Sequence, residues 1–226
     1  DFLAGNFECT LAGEAAGYTL PRATPPPQTE LDPAPKVPFQ RFNAPDELAK
    51  NLREAGFDLL ATANNHCMDK GAEGLYRTAR VLREAGLMQL GTFLDPADAA
   101  APRIAVINGI CVGFLNATGF LNSGTPSLST DERAYAVSML RDTEKLSALA
   151  AAARQAGAEF IVAIAHWGVE HEERENAGQR KLADALIAAG ADAIIGAHPH
   201  VVQPIEWREA VCGGKTVRVP VCYSLG

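Results

Sequence analysis

One unit recurs four times in this chain and constrains its fold more than any other feature: an amphipathic stretch, an Ala-Gly pair, then a short apolar run. It reads EAGFDLLATA at 54–63, EAGLMQLGTF at 84–93, QAGAEFIVAIA at 155–165 and AAGADAIIGA at 188–197. Glycine tolerates the left-handed conformation that closes helices, so Gly56, Gly86, Gly157 and Gly190 are expected stops, with strands in the apolar runs that follow. Pro45, Asp46 and Glu47 suit a first helical turn. Leu48, Leu52 and Ala55 then recur on one face, as Leu75, Ala79 and Leu82 do in the next helix. Helices alternating with fully apolar strands imply an α/β fold, a sheet covered on both faces. Residues 103–108 and 111–116 alternate around Asn108-Gly109, a hairpin signal, so the sheet is expected to be mixed. Residues 205–224 offer two more strands around Gly213-Gly214.

Two segments break the pattern. Residues 21–38 carry seven prolines, too many for a helix or a central strand, and read as an ordered excursion or a flexible loop. Residues 118–133, rich in Gly, Ser, Thr and Asn, read as a long loop, either a lid near the active site or a plain insertion. With 226 residues the chain is expected to form a single domain over 1–226. It opens at Asp1 on what reads as a strand entering a motif and stops at Ser224-Leu225-Gly226 in an apolar run, so both ends read as cut.

Charge and cysteine usage narrow the function. A net charge of −7 argues against a nucleic-acid binder, whose affinity comes from basic patches that displace counterions. No apolar run reaches the roughly 18 to 20 residues needed to cross a bilayer, and no signal peptide opens the sequence. The five cysteines, Cys9, Cys67, Cys111, Cys212 and Cys222, form no C-x-x-C pair and read as free thiols. Cys212 and Cys222 flank the last hairpin, where a bridge in an oxidising compartment is the alternative. Cys9 and Cys67 each follow a motif residue directly, which places them near each other and near any metal, again as thiols rather than ligands.

Three of the four recurring strands run into a histidine motif. The strand at 57–63 leads to Asn64-Asn65-His66, that at 158–165 to His166-Trp167-Gly168-Val169-Glu170, and that at 191–196 to His198-Pro199-His200. Parallel strands set those ends along one edge, where α/β sheets collect ligands, so four of the five histidines face one crevice. A further contribution comes from Gly5-Asn6-Phe7-Glu8. His198 and His200, one residue apart in extended chain, point the same way. Imidazole nitrogens with carboxylate and amide oxygens suit Zn, Mn or Fe, so a divalent-metal site is expected.

These motifs resemble those of the capsule-synthesis CapA (poly-γ-glutamate biosynthesis) family, which has the calcineurin-like metallophosphoesterase fold. The resemblance covers almost the whole chain. It rests on Gly5-Asn6-Phe7-Glu8 for GN[LF]E, Ala63-Asn64-Asn65-His66 with Asp69 and Gly71 for ANNHxxDxG, and His166-Trp167-Gly168 with Glu170. Gly196 with His198-Pro199-His200-Val201-Val202-Gln203 and the closing Tyr223-Ser224-Leu225-Gly226 complete it. It implies a layered α/β/β/α sandwich with mixed sheets holding two adjacent divalent metals. By position Glu8 would be the bridging carboxylate, Asn65 a ligand through its amide oxygen, His166 and His198 ligands of one metal and His200 of the other. The catalytic pair would be His66, near the leaving group, and Asp69. Asn6, Trp167 and Glu170 are placed as substrate contacts. The chain departs from the family pattern at Ala197, where another histidine is common, and at His171, where tyrosine is common. It also lacks the family's opening strand, whose Gly-Asp supplies a metal ligand.

Several of these residues keep a second reading. Asp69 either orients His66 or caps the helix ahead of Gly71. Trp167 either stacks on substrate or packs in the core. Glu170 either anchors a loop or meets a positively charged substrate group. His171, in the run 171–175, reads as part of a solvated helix start. Such a two-metal site would activate water and stabilise the charge that develops on a phosphoryl group. The expected function is therefore a metal-dependent, phosphoesterase-like hydrolase of capsule or poly-γ-glutamate biosynthesis, acting on an anionic polymer or a phosphoester, acyl-phosphate or amide linkage. The alternatives are a non-catalytic accessory subunit that binds polymer or a membrane synthase partner, and a nucleotide or nucleotide-sugar phosphoesterase. The resemblance implies an extracytoplasmic, membrane-tethered full-length protein. No Gly-rich phosphate loop of the GxxxxGK[ST] kind is present.

Overall fold

The structure, a computed structural model, describes residues 1–19, 40–122, 125–212 and 214–226. The proline-rich stretch at 21–38 lies outside the described residues. All four recurring units form as the sequence predicts. Helix α1 (Glu47–Glu54) leads to strand β2 (Phe57–Ala61), and α2 (Gly71–Glu84) to β3 (Met88–Leu90). Helix α5 (Thr143–Gln155) leads to β6 (Phe160–His166), and α6 (Ala177–Ala188) to β7 (Ala193–Ala197). Gly56, Gly86, Gly157 and Gly190 take φ of +98°, +80°, +101° and +107°, the left-handed turn that ends each helix and feeds its strand.

The strands do not share one sheet. Strand β1 (Leu3–Asn6) joins β2 and β3 in a parallel three-stranded sheet of order β1-β2-β3. Strands β4 (Arg103–Ile107), β5 (Ile110–Thr118), β6, β7, β8 (Ile205–Cys212) and β9 (Lys215–Cys222) form a second sheet of order β4-β5-β6-β7-β9-β8. Its inner four strands are parallel, with an antiparallel hairpin at each side. Asn108 (φ +49°) and Gly109 (φ +85°) make the first hairpin turn, where two consecutive positive φ angles match the twist of the flanking strands.

Strand alternation sorts the side chains into four layers. Leu60 faces α1 and α2 with Ala49, Leu82 and Leu87. Its neighbours Leu59 and Ala61 face the other way and meet Val112, Phe114 and Ile164 of the second sheet. That sheet's far side, with Leu115, Ile161, Ala163 and Ile194, is covered by Leu146, Ala150, Ala183 and Leu186 of α5 and α6. The result is the layered α/β/β/α sandwich, with one parallel sheet and one mixed sheet.

Some local expectations change. Ala55 is exposed and Ala49 fills its place under α1, because the helix ends at Glu54. Residues 118–133 carry a 3-10 turn at Thr125–Ser127 and a short helix α4 (Thr130–Arg133). Its start is closed by a reciprocal Ser129–Glu132 capping box. Cys212 stands at the β8–β9 turn opposite Lys215, whereas Cys222 lies at the far end of that hairpin opposite Ile205 and is a free thiol. The register thus removes the bridge between them. Helix α3 (Pro96–Ala100) is capped by the Asp95 side chain, which accepts from Asp98 N at 2.8 Å.

Candidate metal centre

Four segments deliver the candidate residues, two from each sheet. Strand β1 ends at Asn6 and hands on to Phe7-Glu8, while β2, parallel to it with Asn6 opposite Ala61, leads to Asn64-Asn65-His66. In the second sheet β6 ends on His166, opposite Ala197, the last residue of β7, and His198-Pro199-His200 follows. The expectation of a single sheet edge is corrected: the carboxyl ends of two stacked sheets open on the same space.

The side chains converge there. Asn65 Oδ1 lies 2.8 Å from His166 Nε2, and both residues are buried. Glu8 Oε1 stands 3.8 Å from His166 Nε2 and 3.9 Å from His200 Nε2. Ring centroids are 4.9 Å apart for His166 and His198 and 6.0 Å for His198 and His200. Two triads bring one ligand atom from each residue within 4.8 Å of the others: Glu8 with His166 and His198, and Glu170 with His198 and His200.

Short bonds from neighbours fix this arrangement. Asn6 Nδ2 donates to Glu8 Oε2 at 3.0 Å. Asn64 Nδ2 donates to Phe7 O at 2.8 Å, and its Oδ1 accepts from His66 N at 3.1 Å, so one amide ties the β1 and β2 loops together. His198 and His200 are not in extended chain, as the sequence suggested, but take φ of +103° and +57°. Side-chain-bearing residues rarely adopt such angles, at roughly 1–3 kcal/mol each, and they are held where a site over-determines the backbone.

Electrostatics favours a cation in this space. Burial, reinforced by the imidazoles of His198, His200 and His66, pushes His166 down to about 2. Burial likewise lowers His198, partly opposed by Glu170. Both rings are therefore neutral, the form that ligates metals. Burial raises Glu8, against the pull of His200 and His66. The Nδ1 atoms of His166 and His198 are buried without a hydrogen-bond partner. A buried orphan of this kind costs about 1–3 kcal/mol, which a cation at the ring or a rotation of the ring toward one would relieve. The donor set of imidazole nitrogen, carboxylate and amide oxygen thus fits a borderline divalent ion.

His66 and Asp69 sit at the side of this cluster. His66 Nδ1 lies 2.6 Å from Asp69 Oδ2, which also accepts from Phe42 N at 2.7 Å. Asp69 does not cap α2: Lys70 occupies that position and makes no side-chain cap bond. Of the two readings, the structure keeps the one in which Asp69 orients His66. Trp167 leaves the substrate-facing set. It is 1% exposed, its indole N–H donates to Tyr223 O at 2.9 Å, and a ring so enclosed offers no stacking face. Glu170 is exposed beside His198 and His200. His171 belongs to a turn with φ +64° and not to a helix start, which comes at Asn176 with its capping box to Gln179. Burial raises the Cys9 and Cys67 thiols to about 11 and about 12, consistent with protonated thiols.

The sequence reading set the loop after β5 near the active site as one of two alternatives but named none of its residues. Gly119 N donates to His166 O at 2.9 Å, the Phe120 ring meets His198 edge-on at 4.9 Å, and Asn122 N donates to Asn65 O at 3.0 Å. Asn122 Nδ2 lies 3.3 Å from His66 Nε2. The signal available was the polar loop at 118–133, but nothing in its composition singles out Phe120 or Asn122.

Comparison with known proteins follows the same lines. A family model described as bacterial capsule synthesis protein PGA_cap matches residues 1–226. The chain is 34% identical over 187 residues to the capsule biosynthesis protein CapA of Bacillus anthracis, covering 82% of this chain and 43% of that protein. It is 31% identical over 188 residues to the PGA biosynthesis protein CapA of Bacillus subtilis, covering 80% and 44%. A probable polyglutamine synthesis accessory protein of Mycobacterium tuberculosis is 28% identical over 173 residues, covering 74% and 43%. The chain thus spans less than half the length of these relatives. Among solved structures, the sulfate thiohydrolase SoxB of Thermus thermophilus matches with a TM-score of 0.50 at 18% identity, over 79% of this chain and 30% of that one. That likeness is one of fold alone.

Proposed function

Because this chain belongs to the family of bacterial capsule synthesis proteins of the PGA_cap type, we propose that it is a metal-dependent, hydrolase-type domain serving capsule or poly-γ-glutamate synthesis. Its centre is formed by Glu8, Asn65, His166, His198 and His200. The observation that carries this reading is the convergence of Glu8, His166 and His198 from both sheets to within 4.8 Å, with Asn65 2.8 Å from His166. A divalent ion of the Mn, Fe or Zn kind, or a pair of them, would supply Lewis-acid charge against an anionic substrate when bound.

The protein's own groups do the rest. Asn6 holds Glu8 in place, and Asn64 locks the Glu8 and Asn65 loops in register. Asp69 fixes the His66 ring through Nδ1, which leaves Nε2 as the atom that exchanges a proton with a departing oxygen or nitrogen. The substrate class we assign is a phosphoester, acyl-phosphate or amide linkage of an anionic polymer or its precursor. Full-length protein is expected outside the cytoplasm at the membrane, although no helix among the described residues is long and apolar enough to cross one. The test is hydrolysis of phosphomonoester, phosphodiester and γ-glutamyl amide probes by metal-loaded full-length protein. His166→Ala should abolish turnover, and no turnover with any divalent ion would overturn the assignment.

One relative's description as an accessory protein favours a second reading, a non-catalytic subunit that binds polymer or a membrane synthase. Co-purification with a membrane ligase that survives His166→Ala, without turnover, would select it.

A further inference from the structure

We propose that Asn122 reads the leaving group: its side-chain amide, placed beside His66 Nε2, binds a carboxylate on the carbon that bears the departing atom. The inference rests on the hydrolase reading above and adds to that site a specificity-determining residue and a leaving-group class.

The backbone places Asn122. Strand β5 ends at Thr118 opposite His166, and Gly119 N donates to His166 O at 2.9 Å. Thr118 Oγ1 donates to Phe120 O at 2.9 Å, and Asn122 N donates to Asn65 O at 3.0 Å. The segment is thus tied to the second sheet at one end and to the histidine loop of the first sheet at the other. Between the ties Leu121 packs against the core cluster that contains Met68 and Leu75. Its two neighbours reach opposite ends of the site. The Phe120 ring meets His198 edge-on at 4.9 Å, and Asn122 Nδ2 lies 3.3 Å from His66 Nε2. Neither residue is buried, so both border the space that a substrate enters.

Chemistry then selects what the amide binds. Asp69 holds a proton on His66 Nδ1, so Nε2 either accepts from an amide N–H or, carrying a proton itself, donates it. In the hydrolysis, water's oxygen bonds to the phosphorus or carbonyl carbon, and the bond to the departing oxygen or nitrogen breaks with its electron pair on that atom. The departing atom takes the Nε2 proton, and a proton of the attacking water replaces it. A protonated Nε2 cannot also accept from Asn122, so the amide gives up that nitrogen when the leaving group arrives. Its NH₂, still tethered through Asn122 N to Asn65 O, then meets whatever stands next to the departing atom. A carboxylate there is the strongest acceptor, since its charge shortens and strengthens the bond. A leaving group without it leaves the amide unmatched and is discriminated against on that account.

The experiment measures kcat and KM of metal-loaded full-length protein on two matched probe pairs, phosphoglycolate against ethyl phosphate and γ-glutamylglycine against γ-glutamylethylamide. Within each pair the leaving groups differ by a carboxylate in place of a methyl, and comparison between variants cancels their intrinsic reactivities. Natural protein should favour the carboxylate member by about tenfold or more in kcat/KM on the pair it hydrolyses. Asn122→Ala should reduce that preference about tenfold, chiefly through KM, and affect the methyl member less. Asn122→Asp, which sets like charges against each other, should reduce it further than Asn122→Ala. Circular dichroism and divalent-ion titration check that both variants keep their fold and ion content. A preference that survives in both variants, no preference in natural protein, or loss of turnover on both members of a pair by the same factor would each overturn the role of Asn122. Those results would leave the hydrolase reading standing. Absence of turnover on every probe by natural protein would instead overturn that reading, and the role of Asn122 with it.

Discussion

Asn65 Oδ1 and His166 Nε2 stand 2.8 Å apart, 101 residues distant in sequence and on opposite sheets of the sandwich. As a hydrogen bond the contact satisfies two buried groups. Two donors bound at right angles to one ion, each at about 2.0–2.2 Å, would lie roughly 3 Å apart, so the same spacing also suits two ligands of one cation. The sheets therefore already hold these atoms at ligand spacing, and the rigid strands behind them keep the gap from widening.

Asn65 should accordingly matter to both stability and ion binding. Asn65→Leu leaves His166 Nε2 buried without its partner, which should cost about 1–3 kcal/mol of metal-free stability and reduce divalent-ion affinity at least about tenfold. Asn65→Asp retains an oxygen donor and should keep ion binding. Denaturant unfolding and calorimetric titration of the two variants decide the point. Undiminished affinity in Asn65→Leu would take Asn65 out of the ligand set.

The buried imidazoles also predict how metal-free stability varies with pH. Burial lowers His166 to about 2 and lowers His198 as well. In the unfolded chain both rings titrate near 6.5, so below that pH the unfolded state takes up protons that the folded state does not. Stability should fall as pH drops below about 6.5 and should not depend on these rings above it. Glu8, raised by burial, acts with the opposite sign: its contribution favours the folded state at low pH and is lost as pH rises through its folded value. The midpoint of thermal unfolding should thus decline from pH 7 to pH 5.5 in stripped protein, and less steeply in His166→Gln. A flat profile would contradict the enclosed, neutral rings.

Much of this arrangement was legible in the sequence because it is local. An Ala-Gly stop followed by an apolar run fixes each helix-to-strand transition, so the positions of Asn65, His166 and His198 at strand exits could be read directly. The division into two sheets was not visible in periodicity, since Leu59 and Leu60 look alike until one faces the second sheet and the other faces α1 and α2. Trp167 was ambiguous for a similar reason: only the approach of Tyr223 O, 56 residues away, shows that its indole is spoken for. The backbone of His198 and His200 could not be foreseen either, because left-handed angles at histidine come from the surrounding loops and not from residue preference. Phe120 and Asn122 reach the site through pairing of β5 with β6, a non-local fact.

Asn116 should prove to be the tie that holds the two sheets in register below the site. Its Oδ1 accepts from Ala63 N at 2.8 Å and its Nδ2 donates to Ile164 O at 3.0 Å, one contact on each sheet's side. Asn116→Ala strands the buried Ala63 N–H, at about 1–3 kcal/mol, and frees the loop that carries Asn64, Asn65 and His66. Gly91→Ala should act on the same tie, because its Cβ would fall 2.0 Å from Asn116 Oδ1 at a φ of +98°. Both variants should lose stability and ion affinity together in denaturant and calorimetric measurements. Loss of stability with ion affinity intact would confine Asn116 to the fold.

The pair His66 and Asp69 offers the sharpest test of chemistry as opposed to architecture. Asp69 Oδ2 takes both the His66 ring, at 2.6 Å, and the Phe42 amide, at 2.7 Å, so one charged oxygen accepts twice and sets a ring proton on Nδ1. In Asp69→Asn the Oδ2 position holds one group only: an oxygen there keeps both bonds but loses the negative charge that supports a protonated His66, whereas an NH₂ there donates to Nδ1 and leaves the Phe42 N–H unpaired. The fold and the ion count should survive this nearly isosteric change, while kcat should fall by about 10²-fold or more with KM little altered, as expected when the charge that supports a protonated His66 is removed. Asn122→Ala, which removes the 3.3 Å neighbour of His66 Nε2 and leaves Asp69 in place, should have the smaller effect on kcat. Equal turnover by natural protein and Asp69→Asn, at equal metal content, would show that His66 transfers no proton in the rate-limiting step.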